Sequence, residues 1–200
     1  MEALEVLKRY WGYDAFRPMQ EEIIAAALEG RDVLAVLPTG GGKSVCFQVP
    51  ALMRDGIALV VTPLIALMED QVRNLTERGI RALAIHAGMD RREVDLTLNN
   101  AAYGDFKFLY VSPERLNTTL FRSYLRVLPV NFIVVDEAHC ISQWGYDFRP
   151  DYLGINSLRE VLDAPVIALT ATATPRVAED IMDKLSYHLL FNISYTHYSE

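Results

Sequence analysis

The stretch Leu37-Pro38-Thr39-Gly40-Gly41-Gly42-Lys43-Ser44 restricts this chain more than any other. It is a glycine-rich turn between an apolar run, Val33 to Leu37, and a segment of helical spacing that begins at Lys43. In that setting glycines let backbone N–H groups close around phosphate oxygens, and the following helix presents its positive N-terminal end. Lys43 adds charge and Ser44 can hold a magnesium ion. Thr39, Gly40, Gly41, Gly42, Lys43 and Ser44 are therefore candidate ligands of a nucleoside triphosphate. The rival reading is an ordinary glycine-rich turn before a helix. The usual G-x-x-x-x-G-K-[ST] pattern opens with Gly, whereas Leu37 holds that place here, a departure that narrows the family.

The surrounding chain repeats the strand-then-helix rhythm. Helical spacing runs over residues 2–11 and again through Met19, Ile23, Ile24, Ala27 and Leu28. Strands are predicted at Asp32 to Leu37, Ile57 to Thr62, Ala82 to Ile85, Phe106 to Val111, Phe132 to Val135 and Val166 to Leu169. Helices are predicted at Ser44 to Met53, from Pro63 to Gly79, from a capping box at Asp90 and Glu93 to about Ala102, from Ser112-Pro113-Glu114, and from Pro175. Such alternation implies an α/β fold, a mostly parallel sheet flanked by helices on both faces, with functional loops at the carboxyl ends of the strands. We read residues 1–187 as one domain. Residues 188–200, rich in Tyr, Ser and His, do not continue the pattern and read as a tail or the start of a further unit.

Composition narrows the function classes. A formal net charge of -7 over 200 residues excludes a broadly basic surface, so nucleic-acid contact must come from local features. Cys46 and Cys140 lie far apart without a paired motif, which suits a reducing cytosol and gives no metal framework. No apolar run approaches the roughly 18 residues of a membrane span, and the N-terminus lacks the order of a signal peptide. The expectation is a cytoplasmic protein without a membrane partner.

Two further stretches carry chemistry. Phe132 to Val135 runs into Asp136-Glu137-Ala138-His139, two carboxylates directly after a buried strand. Asp136 can hold magnesium, and Glu137 can orient and deprotonate a water attacking the γ-phosphorus. A solvated acidic turn is the alternative. His139 can relay phosphate state to a neighbouring loop or serve as a satisfied structural histidine. Thr170-Ala171-Thr172-Ala173-Thr174 follows another strand. Thr174 suits an N-cap before Pro175, while the hydroxyls of Thr170 and Thr172 are available to the acidic loop. His86, His188 and His197 receive no role.

In this order and spacing, Pro38 to Ser44, Asp136 to His139 and Thr170 to Thr174 resemble the motifs of superfamily 2 helicases. Cys140-Ile141-Ser142-Gln143-Trp144-Gly145-Tyr146-Asp147-Phe148-Arg149-Pro150 is similar to the aromatic-rich loop of RecQ-type DNA helicases. Tyr13-Asp14-Ala15-Phe16-Arg17-Pro18-Met19-Gln20 resembles that family's adenine-recognition motif. Together these motifs run from about residue 7 to 174. Tyr146 stands where the family usually has His; a phenol can still stack or donate.

The resemblance implies a RecA-like P-loop domain that binds ATP with Mg²⁺ and acts on single-stranded or forked DNA, with roles in recombination and repair. Gln20 offers an amide to an adenine edge, and Tyr13 and Arg17 offer planar groups to its ring. Trp144 and Phe148 can stack on bases, with Gln143 and Arg149 beside them, or fill the packing. Thr62-Pro63 and Ser112-Pro113 match the family's DNA-backbone motifs, where free N–H groups at helix starts can bind phosphates. Lys43, Asp136, Glu137 and His139 form the implied catalytic set, and Ser44 and Asp136 the implied magnesium ligands. Helicases of this type clasp ATP between two RecA-like domains, and nothing after Thr174 supplies the second. The rival functions are an RNA helicase domain of the same superfamily and a non-enzymatic nucleotide-binding module.

Overall fold

The structure, a computed structural model, describes residues 1–38 and 42–187, together with the backbone of residues 193–195. The predicted phosphate ligands Thr39, Gly40 and Gly41 lie outside the described residues, as do His188 and His197. In chain order the elements are α1 (Ala3–Trp11), α2 (Gln20–Leu28), β1 (Val33–Val36), α3 (Lys43–Met53), β2 (Ile57–Val61), α4 (Ile65–Glu77), β3 (Ala82–Ile85) and α5 (Arg91–Tyr103). They continue with β4 (Phe108–Val111), α6 (Thr119–Tyr124), β5 (Val130–Val135), α7 (Ile155–Leu158), β6 (Val166–Thr170), α8 (Pro175–Lys184) and β7 (Ile193–Tyr195).

The strands form one parallel sheet in the order β3-β4-β2-β5-β6-β1-β7. Both faces are covered, which is why the strands read as continuous apolar runs. In β5, Ile133 and Val135 enter a core shared with α5, α6 and α8, while Phe132 and Val134 enter a second core with Phe47 and Met68. A smaller cluster of Val6, Leu7, Ile24, Val45 and Val49 fastens α1 to α2 and α3.

Local signals place the helix starts. The Asp90 and Glu93 capping box closes reciprocally, with Glu93 N donating to Asp90 Oδ1 at 2.8 Å and Asp90 N to Glu93 Oε2 at 2.9 Å. Thr174 caps α8 by accepting from Val177 N at 3.2 Å, with Pro175 in the first turn. Other expectations need correction. Pro63 does not open a helix: Thr62 N still bonds Val111 O, Leu64 stays extended, and α4 starts at Ile65. Ser112-Pro113-Glu114 opens a 3₁₀ turn, Pro113–Asn117, which ends where extended Thr118 caps α6. Within the last stretch of the chain, Ile193–Tyr195 pairs in parallel with β1. Among the described residues no helix is long and apolar enough to cross a membrane.

The strand order has one consequence for function. β1, β5 and β6 follow different stretches of sequence but lie side by side, with β6 between the other two. Their carboxyl ends therefore bring the glycine loop, the acidic turn and the threonine segment to one edge of the sheet.

Candidate functional site

The glycine loop leaves β1 at Leu37, whose N–H bonds Thr170 O at 3.0 Å, and leads into α3 at Gly42. Gly42 is left-handed, at φ 76° and ψ 36°, and caps α3. Its carbonyl accepts a hydrogen bond from Gln20 Nε2 at 3.0 Å, while Gln20 Oε1 accepts from Arg17 N at 2.8 Å. Among the described residues each function of the buried amide is thus half used, leaving one N–H and one oxygen lone pair. Tyr13, Arg17, Gln20, Gly42, Lys43 and Ser44 line a cleft of about 600 Å³. Trp11 and Gln48 line it too, and sequence reasoning missed both. Trp11 reads only as part of the apolar face of α1, and Gln48 sits inside a helix with no motif to mark it.

Lys43 Nζ lies 3.9 Å from Glu137 Oε1, which joins the start of α3 to the turn after β5. Asp136 extends the sheet ladder by donating its N–H to Val61 O. Its Oδ1 accepts from Glu137 N at 3.0 Å and its Oδ2 from Thr62 Oγ1 at 3.4 Å. Tyr152, a residue with no sequence signal beyond its apolarity, donates its hydroxyl to Asp136 O at 2.8 Å. Burial pushes the Asp136 carboxyl above the ordinary carboxylate range, against the pull of Lys43. Glu137 takes a left-handed conformation at φ 51°, and Met19, just before Gln20, does so at φ 73°. Non-glycine residues in this region are uncommon, and here two of them flank the cleft.

His139 is buried and touches Thr170 Oγ1 through Nδ1 at 2.8 Å. The Thr170 hydroxyl donates to Thr172 O at 3.1 Å, so it accepts from His139, which assigns the proton to Nδ1. Glu137 Oε2 lies 3.5 Å from the same nitrogen. Burial lowers the His139 pKa, opposed by Glu137 and Asp147, which favours the neutral ring. Tyr146 stacks on His139 with centroids 4.6 Å apart and planes 18° from parallel.

The remaining predicted residues divide into two groups. Gln143 and Trp144 are exposed, Phe148 is half-buried, and Arg149 pairs with Asp147 through Nε at 3.3 Å. By contrast, Thr62 turns inward to Asp136, and Ser112 is buried with no hydrogen-bond partner for its hydroxyl among the described residues. Pro63 is half-buried before α4, and the Thr172 side chain is exposed. His86 accepts from Gly88 N and faces Glu69, apart from this cluster.

The chain is similar to known proteins. Residues 17–181 match the family model described as DEAD/DEAH box helicase. The chain is 46% identical over 183 residues to the probable ATP-dependent DNA helicase RecS of Bacillus subtilis, covering 90% of this chain and 36% of that protein. It is 48% identical over 185 residues to the ATP-dependent DNA helicase RecQ of Haemophilus influenzae, covering 92% of this chain and 30% of that one. The chain thus spans about a third of the length of the curated relatives it matches. Among solved structures, the DUF1998 helicase MrfA bound to DNA and AMPPNP superposes with a TM-score of 0.76 at 17% identity, over 98% of this chain and 29% of that one. That likeness is one of fold and matches a RecA-like helicase domain. Membership of the matched family implies nucleotide use. With 165 of its 200 residues inside the family match, the chain belongs to the DEAD/DEAH box helicases.

Proposed function

We propose that this chain is the ATP-binding motor domain of a RecQ-type 3′-to-5′ DNA helicase, acting in recombination and repair as part of a longer protein. Residues 1–187 would form the motor unit and residues 188–200 the passage toward a second one. The observation that carries the reading is the 3.9 Å approach of Lys43 to Glu137 beside a cleft lined by Gln20, Gly42 and Ser44. A phosphate-binding cation, a candidate water base and a base-recognition amide meet there from separate parts of the chain.

The residues present fit ATP. The free N–H and lone pair of Gln20 match the N7 acceptor and N6 donor of adenine, whereas guanine offers two acceptors there. Tyr13 and Arg17 supply planar groups beside the ring. Thr39, Gly40, Gly41 and Gly42 belong to the loop that cradles the phosphates, and Lys43 takes charge from their oxygens. Ser44 and Asp136 fit Mg²⁺ as hard oxygen donors, a hydroxyl in the first turn of α3 and a carboxylate directly after β5. An ion held by these two residues would supply positive charge to the transferred phosphoryl group. Glu137 orients the attacking water and takes its proton. His139 bridges Glu137 to Thr170, which ties the acidic turn to the segment entering α8. Gln143, Trp144, Phe148 and Arg149 would meet single-stranded DNA, with the helix starts near Thr62-Pro63 and Ser112 following its backbone. Two buried free cysteines suit a cytoplasmic setting.

An arginine contributed by a second domain is worth about 10³ to 10⁵ in rate, so the chain alone should bind ATP but release phosphate feebly and unwind nothing. Phosphate release measured with single-stranded DNA, single-stranded RNA or neither tests the reading. A slow rate raised by DNA and abolished in Glu137→Gln is expected. Stimulation by RNA alone would transfer the domain to the RNA helicases, and turnover at the rate of a two-domain helicase would refute the need for an arginine from a second domain.

A further inference from the structure

The aromatic loop carries a cation that its own sequence does not supply. Arg149, the cation nearest the aromatics in sequence, is held by Asp147 through both Nε and a terminal nitrogen at 3.3 Å. A different guanidinium lies on the exposed indole: Arg176, in the first turn of α8, sits 3.4 Å from the Trp144 ring centroid. Trp144 nevertheless keeps 58% of its surface exposed, so its opposite face is available. Among the described residues Arg176 has no carboxylate partner. A cation in the first turn also opposes the helix dipole, and α8 has no acidic residue there to offset it. Helix stability does not account for Arg176.

The loop is preset against α8 by a second contact. Buried Ser142 donates to Asp180 Oδ2 at 2.7 Å and accepts from Trp144 N at 3.2 Å. Trp144 is therefore held at its backbone by Ser142, itself tied to Asp180 of α8, and capped on one face by Arg176 of the same helix. That helix follows Thr170, which touches His139.

We propose that Arg176 and Trp144 form one composite single-strand contact, in which a base stacks on the free indole face and the Arg176 guanidinium takes a neighbouring backbone phosphate. This rests on reading the chain as a nucleic-acid motor. The chemistry suits the acidic chain: an unneutralised guanidinium placed beside a stacking platform gives local attraction without a basic surface. It also places the nucleic acid on the helix that leads from the threonine segment, rather than on the aromatic loop alone.

Equilibrium binding of a short oligothymidylate by the whole chain, measured across a salt series, tests this. Arg176→Ala should weaken binding severalfold and reduce the slope of log K against log salt by about 0.7, the value for one phosphate contact to a single strand. Trp144→Ala should weaken binding about fivefold or more with the slope unchanged. Arg176→Lys keeps the charge and should restore the slope while changing Trp144 emission, which is read against the one other tryptophan, Trp11. An Arg176→Ala protein that binds with the wild-type slope, even with altered Trp144 emission, overturns the proposal and leaves Arg176 as a loop prop. Failure of the wild-type chain to bind the oligonucleotide at all would refute the motor reading, and this inference with it.

Discussion

Gly42 is where a single residue bears most directly on the site. Its φ of 76° is left-handed, and a Cβ built there would stand 2.3 Å from Gln20 Nε2. Two costs therefore act together, one in the backbone and one against the adenine-side amide. Gly30 separates them, because it has φ 80° but nothing within 4 Å of its would-be Cβ. Gly30→Ala should lower stability by about 1 to 2 kcal/mol, the left-handed cost of an L-residue. Gly42→Ala should lose at least about 1 kcal/mol more, because the amide must move away from a buried hydrogen bond. In a Gln20→Ala background, Gly42→Ala should cost only the backbone part. Urea unfolding midpoints at unchanged slope read all three, and equal losses for the two glycines would contradict the account. Gly42 is legible in sequence as a phosphate-loop glycine. Its meeting with Gln20, 22 residues away, is not. The same holds for the left-handed conformations of Met19 and Glu137, which neighbouring packing imposes on residues whose own preference lies elsewhere.

Among the elements, β1 and β6 carry the glycine loop and the threonine segment, and a half-buried ion pair fastens them at their amino ends. Asp32 Oδ2 lies 2.8 Å from Arg159 Nη1, and Asp32 Oδ1 accepts from Val166 N at 3.0 Å. Arg159 also donates to Leu185 O, so one pair secures β1, β6 and the end of α8. Asp32→Ala should cost about 1 to 3 kcal/mol by removing the carboxylate from a half-buried guanidinium and from a strand N–H. Denaturant unfolding checks it, and a loss below about 1 kcal/mol would show that the pair is dispensable. Most elements are legible because apolar runs such as Ile57 to Val61 and Val166 to Thr170 are buried on both faces. Their order in the sheet is not, since nothing in Val33 to Val36 says that β6 rather than β2 will lie beside it. β7 has no apolar run to mark it. The short turns over Pro150–Gly154 and Ile155–Leu158 are set by packing of Tyr152 and Ile155, not by periodicity. Pro63 misleads because a proline after a strand serves a bend as well as a helix start.

At the scale of the whole molecule, a parallel sheet with β6 between β1 and β5 gathers separate motifs at one edge. The acidic turn is the hub: Asp136 meets Thr62 and Tyr152, Glu137 meets Lys43, and His139 meets Thr170 and Tyr146. Nucleotide at Lys43 and nucleic acid at Trp144 would then lie at two ends of one packed path through His139 and α8. The central claim is that Lys43 anchors a nucleoside triphosphate in this cleft. Its most direct test is the unfolding free energy of the wild-type chain and of Lys43→Ala, each with and without Mg·ATP. At a hundredfold excess over the wild-type dissociation constant, the wild-type chain should gain about 2.7 kcal/mol and the variant nearly nothing, with matching stabilities when no nucleotide is added. Equal stabilisation of both chains, or none of the wild type at saturating Mg·ATP, would contradict the account.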